Sequence, residues 1–128
     1  MPDNYIIGDK QHSPSNKYPS DGSQNLIFNQ FLNSILPSNK HPLSAAAAHH
    51  FSSKGKQLRA KIALSAGEKF GADSSACLHW ASAVELLHNA SLIHDDICDG
   101  DTMRRNNASV WAKYGRDIAL ALGDWMIA

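Results

Sequence analysis

Apolar residues along this chain recur at three- and four-residue intervals and nowhere alternate one by one between turn dipeptides, a pattern that predicts helices and no strands. Residues 1 to about 24 stand apart. Asp, Ser, Asn, Lys, Pro and Gly dominate them, too little apolar surface to offset the entropy of ordering, so a flexible polar tail is expected. A first helix is predicted from Asn25 to about Leu36, with Leu26, Ile27, Phe31, Leu32, Ile35 and Leu36 at helical spacing and Pro37 as its stop. A second starts near Pro42, with His41 or Asn39 near its cap, and passes through Ala45 to Phe51 before a break at Ser52 to Gly55. A third begins near Lys56 and runs through Leu58, Ile62, Ala63 and Ala66 to about Phe70, closed by Gly71. The fourth is long, capped by Ser74 or Ser75 and continuous to Ile97. After a turn at Asp99-Gly100-Asp101 and a polar loop, the pattern resumes from Asp117 and is still running at Trp125-Met126-Ile127-Ala128. An apolar stripe without a C-cap reads as a domain cut short. The expected fold class is all-α, with a tail over 1–24 and a truncated domain over 25–128.

Composition narrows the class. At 128 residues the chain holds one domain at most, or part of one, and its 43% hydrophobic content is ordinary for a globular protein. Acidic and basic residues balance at twelve each, so no nucleic-acid or membrane-surface partner is implied, and any pull on an anionic substrate must come from local clusters. Cys77 and Cys98 are far apart in no ligand-like spacing. The N-terminus has no apolar signal region, and the apolar stretches are too short to span a bilayer, so the expected location is cytoplasmic.

The densest chemistry lies at the end of the fourth helix. Asp95 and Asp99 are four residues apart and so project from one helical face, where they repel each other unless a cation stands between them. Oxygen-only ligands suit a hard ion, and Mg²⁺ commonly takes one or two carboxylates together with phosphate oxygens and water. Asp96 lies roughly 100° around the helix, where it could support a metal-bound water or bond a neighbouring side chain. A solvated acidic turn would satisfy the same letters, although acids at a helix C-terminus oppose its dipole. Arg104-Arg105 follow across the turn, and guanidinium forks are preferred partners of diphosphate oxygens. A second basic run, Lys54-Gly55-Lys56-Gln57-Leu58-Arg59, puts Lys56 and Arg59 three apart at a helix start, where free amides add to the attraction for an anion; a solvated helix start is the other reading. His88, seven residues before Asp95 and eleven before Asp99, returns to nearly the same face, next to Glu85 and Ser91, as a ligand-facing or a hydrogen-bonded core residue.

Taken together, these runs resemble the trans-prenyl diphosphate synthases, or polyprenyl synthetase family, of the geranylgeranyl and farnesyl diphosphate synthase kind. The residues that carry the resemblance are Gly55-Lys56-Gln57-Leu58-Arg59, the run from Glu85 to Asp99, Arg104-Arg105, Trp111, Gly115 and Gly123-Asp124. The resemblance covers residue 25 onward and implies the N-terminal part of a helical bundle around a central cavity. It implies that Asp95, Asp96 and Asp99 hold Mg²⁺ ions bridging the diphosphate of an allylic substrate, which Arg104 also contacts. It implies that Lys56, Arg59, His88 and Arg105 bind the diphosphate of isopentenyl diphosphate, and that the two substrates are condensed head to tail in a homodimeric enzyme. Side-chain bulk just before the aspartates limits product length in this family, and the small Ala90 and Ser91 there imply C20 or longer.

Two departures qualify the resemblance. Family members follow the arginine pair with Gly and, two residues on, Pro, whereas this chain has Asn106-Asn107-Ala108; asparagine tolerates turn conformations. The family's second aspartate-rich motif would fall beyond Ala128, so this segment alone is expected to be inactive. The alternative is a truncated homologue serving as a non-catalytic binding subunit of a partner synthase. Cys98 is expected to be a small apolar filler, His49 and His50 surface or core residues, and Trp80, Trp111 and Trp125 core or interface anchors.

Overall fold

The computed structural model describes residues 21–53 and 55–128. Among these residues six helices and one short hairpin follow in order, and the fold is all-α as expected. Residues 1–20 of the tail expected over 1–24 lie outside the described residues, and helix α1 (Asp21–Ile35) begins four residues before its predicted start. Its buried side chains, Phe28 and Leu32, are one turn apart on one face. Pro37 disfavours a helical Leu36, and α1 stops at Ile35. Helix α2 (Ser44–Ser52) turns Ala46, Ala47 and His50 inward. No side chain caps it; ahead of it, His41 Nδ1 accepts the Leu43 amide at 3.1 Å. Helix α3 (Leu58–Lys69) closes at Gly71, whose φ of +66° is the left-handed conformation a glycine adopts without strain.

Helix α4 (Ser74–Asp99) is the axis of the fold. Asp73, not Ser74 or Ser75, caps it by accepting the Ala76 amide at 3.1 Å, because the cap side chain must reach the third residue ahead from a non-helical backbone. Gly100, at φ +70°, ends it. Strands β1 (Met103–Arg104) and β2 (Asn107–Ala108) then pair antiparallel, Met103 opposite Ala108 and Arg104 opposite Asn107. The sequence predicted no strand, and two-residue strands are too short to alternate visibly. Helix α5 (Val110–Tyr114) occupies part of the predicted polar loop, and α6 (Arg116–Ile127) completes the chain.

Two apolar clusters flank α4. Phe28, Leu32, Ala60, Leu64, Cys77 and Ala81 lock its N-terminal half against α1 and α3. Ala90 and Ile93 lock its C-terminal half against Leu43, Ala46, Ala47, Val110, Ala119, Leu122 and Met126. Phe51 and Leu86 touch both clusters and join them into one support. On α6, Gly123 is buried against the His94 imidazole, which occupies the place a Cβ at position 123 would need. The outward face of α4, with Leu87, Ser91, Asp95 and Asp99, is left open.

Candidate functional site

A cleft of about 230 Å³ opens where the 55–57 segment, the start of α3, the middle of α4 and the hairpin turn meet. Lys56, Arg59, His88 and Arg105 all line it, together with Gly55, Glu85 and Asn89. The four basic side chains come from three separate stretches of sequence, and the fold collects them in one place. Burial first, and then the Arg59 charge, lower the His88 pKa from its ordinary value.

Local backbone geometry aims these groups. Arg105 sits at φ +50° and Asn106 at φ +65°, both left-handed, as a two-residue type I′ hairpin turn requires. Asparagine therefore replaces glycine at a position where both fit, and the arginine pair is retained. Arg105 Nη1 donates to the Ser53 carbonyl at 2.8 Å, and its guanidinium lies against Gly55, where a Cβ would stand 2.7 Å from Nη2. Gly55 leaves open the space that the Arg105 guanidinium occupies. Gln57, also left-handed at φ +50°, donates through Nε2 to Asn29 Oδ1 at 2.9 Å, which ties the cleft segment to α1.

The aspartate run divides. Asp95 and Asp99 are exposed on the open face of α4, and among the described residues neither carboxylate has a hydrogen-bonding or ion-pairing partner. Asp96, 2% exposed, turns inward and accepts two hydrogen bonds from Arg104: Nε to Oδ2 at 2.7 Å and Nη2 to Oδ1 at 2.8 Å. Of the two roles open to Asp96, bonding a neighbouring side chain is the one observed. Among the described residues no three His, Cys, Asp or Glu side chains converge as a self-contained metal centre would require. Two uncommitted carboxylates one turn apart do fit an ion such as Mg²⁺ that shares its shell with substrate phosphate and water.

The two residues expected to limit product length part company. Ser91 is exposed on the Asp95 face, its hydroxyl donating to the His88 carbonyl at 2.6 Å, whereas Ala90 is fully buried against the α2–α5–α6 cluster. Cys98 is exposed rather than a core filler, because position 98 falls on the open face of α4. Trp111 is half-buried and donates to the Asp101 carbonyl at 2.7 Å; Trp80 is 66% exposed.

Sequence reading named Glu85 only as a neighbour of the His88 face and missed the hydrogen bonds that join it to Asn89, His50 and the start of α3. Glu85 Oε1 accepts the Ala60 amide at 3.3 Å, Asn89 Nδ2 donates to Glu85 Oε2 at 3.2 Å and to the Glu85 carbonyl at 2.7 Å, and His50 Nε2 bonds Asn89 Oδ1 at 2.8 Å. Glu85 and Asn89 sit four apart on the buried face of α4, and a polar pair at that spacing inside an apolar run was the available signal.

A family model described as Polyprenyl synthetase matches residues 40–128. A geranylgeranyl diphosphate synthase of Saccharolobus solfataricus is 35% identical over 116 residues, spanning 85% of this chain and 35% of the relative. The geranylgeranyl pyrophosphate synthetase structure from the archaeon Geoglobus acetivorans superposes with a TM-score of 0.71 at 34% identity, over 80% of this chain and 34% of that one. A polyprenyl synthase of Caulobacter crescentus, solved with calcium and isoprenyl diphosphate, superposes with a TM-score of 0.76 at 28% identity, over 83% of this chain and 32% of that one. The chain thus spans about a third of the length of the relatives it matches. Among the described residues no helix is long and apolar enough to cross a membrane.

Proposed function

Because the chain belongs to the polyprenyl synthetase family, we propose that it carries the isopentenyl diphosphate site and the first metal-binding carboxylates of a trans-prenyltransferase. The observation that carries this reading is the meeting of Lys56, Arg59, His88 and Arg105 in one cleft sized for a small anion. These groups hold the diphosphate of isopentenyl diphosphate, with the arginine forks engaging paired oxygens and Lys56 acting as a mobile point charge. Asp95 and Asp99 hold Mg²⁺, and Asp96 anchors Arg104 so that its guanidinium faces the allylic diphosphate. An Mg²⁺ ion held by these carboxylates would supply positive charge to a diphosphate. Arg104 stabilises that diphosphate as the allylic C–O bond breaks and the electron pair leaves with oxygen. The cleft meanwhile presents the isopentenyl double bond, which forms the new C–C bond, and the adjacent carbon then gives up a proton to the departed diphosphate. The small Ser91 on the aspartate face leaves room for a product of C20 or longer, and the homodimer and the cytoplasmic location belong to the same reading.

Calorimetric titration with isopentenyl diphosphate and with inorganic pyrophosphate tests the cleft. Lys56→Ala and Arg59→Ala are each expected to weaken binding about tenfold or more, the effect of losing a charge-assisted hydrogen bond of about 1.5–3 kcal/mol. Asp95→Ala is expected to leave this binding intact while abolishing Mg²⁺-dependent uptake of an allylic diphosphate. A wild-type chain that binds neither anion sinks the reading.

A further inference from the structure

Helix α3 begins without a local cap: Gln57 occupies the cap position in a left-handed conformation and makes no side-chain bond to the first turn. The first amides of a helix need acceptors from elsewhere. Ala60, the third residue of α3, finds one in Glu85 Oε1 of the neighbouring helix. Glu85 is 5% exposed, and its other oxygen is held by Asn89 Nδ2. Asn89, 4% exposed, also donates from Nδ2 to the Glu85 carbonyl, which fixes its amide orientation and leaves Oδ1 as an acceptor. His50 Nε2, on α2, must therefore carry the proton it shares with Asn89 Oδ1.

The result is a line of hydrogen bonds from α2 through α4 to the start of α3, running under the cleft that Lys56, Arg59, His88 and Arg105 line. Glu85 is the single acidic residue among the cleft's described lining. A carboxylate among cations opposes anion binding by Coulomb's law alone, so affinity for a diphosphate does not account for its presence. Its bond to the α3 amide does.

We propose that Glu85, Asn89 and His50 form a positioning relay that fixes the start of α3 against α4, and so sets Arg59 and Lys56 relative to His88 before an anion arrives. The relay rests on the reading of the cleft as a diphosphate site, and its members act by holding the basic residues in place. Preset donors lose less freedom on binding than donors that must be gathered.

The sign of one substitution separates positioning from charge. If Glu85 mattered only as a charge, Glu85→Ala would tighten pyrophosphate binding. The relay predicts the reverse: Glu85→Ala weakens binding about tenfold, while Glu85→Gln, which keeps an oxygen for the Ala60 amide, returns to within about threefold of wild type. At the far end, His50→Leu, which cannot donate to Asn89, weakens binding, and His50→Gln, which can, retains it. Titration calorimetry with inorganic pyrophosphate is run on variants whose circular dichroism matches wild type. A folded Glu85→Ala chain that binds as tightly as wild type, or tighter, overturns the relay. Should Glu85→Ala not fold, an unchanged affinity in folded His50→Leu overturns it equally. A wild-type chain that fails to bind pyrophosphate overturns the cleft itself, and the relay with it.

Discussion

Asp95, Asp96 and Asp99 carry the same carboxylate, yet α4 turns the middle one inward and leaves its neighbours in solvent. Burial makes Asp96 dependent on Arg104, while Arg104, only partly buried, can swing to water if Asp96 is lost. The two truncations should therefore differ in cost. Arg104→Ala strands a buried carboxylate and is expected to cost about 3 kcal/mol in urea denaturation, most of it recovered in the double variant Arg104→Ala/Asp96→Asn. Equal costs for Arg104→Ala and the double variant would remove the pair from the stability of the fold. The four-residue spacing of Asp95 and Asp99 was legible from sequence because helical periodicity alone places them together. The partner of Asp96 was not, because it depends on a hairpin that folds Arg104 back over the helix end. The same limit hid His50: its partner Asn89 lies 39 positions away, and nothing local marks the pair.

At the scale of elements, the longer helices announced themselves, and the hairpin and the five-residue α5 did not. Periodicity located α2, α3 and α4 to within a few residues, since each has an apolar stripe long enough to repeat. The β1–β2 pair has only four residues, and its turn uses Arg105-Asn106 instead of the Asn-Gly or Gly-Gly that marks such turns. This turn sets the approach of Arg105 to Gly55, so its conformation matters to the cleft. Asn106→Gly is expected to leave thermal stability unchanged or slightly higher. Asn106→Val puts a β-branched residue at φ +65° and is expected to cost about 1–2 kcal/mol and to weaken pyrophosphate binding as Arg105 shifts. Thermal melts paired with titration check both; a stable Asn106→Val chain with full affinity would uncouple the turn from the site.

For the molecule as a whole, the two clusters on either side of α4 meet at Phe51 and Leu86, close to the buried His50. Burial lowers the His50 pKa from 6.5 to about 4, so the folded chain binds fewer protons there than the unfolded chain between those values. Stability is therefore full above about pH 6.5 and falls as the pH drops toward 4, by about 2 kcal/mol at pH 5 if this group acted alone. Denaturant midpoints of wild type and His50→Gln between pH 5 and 7 check it: the wild-type slope is expected to flatten in the variant. Composition and periodicity were enough to read the all-α class. They could not show that one long helix would be clamped by two separate clusters, because that depends on which apolar faces meet across the chain.

The seam between α4 and α6 shows how unevenly this molecule tolerates variation. His94 fills the space above Gly123, so even a methyl group there meets the imidazole. One turn earlier, Leu120 points its side chain into solvent and is free to change, whereas Asp124 stands 3.7 Å from His94 Nε2. Position 123 therefore works as a spacer of zero thickness that sets how near the last helix comes to the backbone bearing Asp95. Neutral drift can rewrite the outside of α6 while this one position stays closed. A library randomised along the whole helix would return glycine there and diversity at solvent-facing positions such as Leu120.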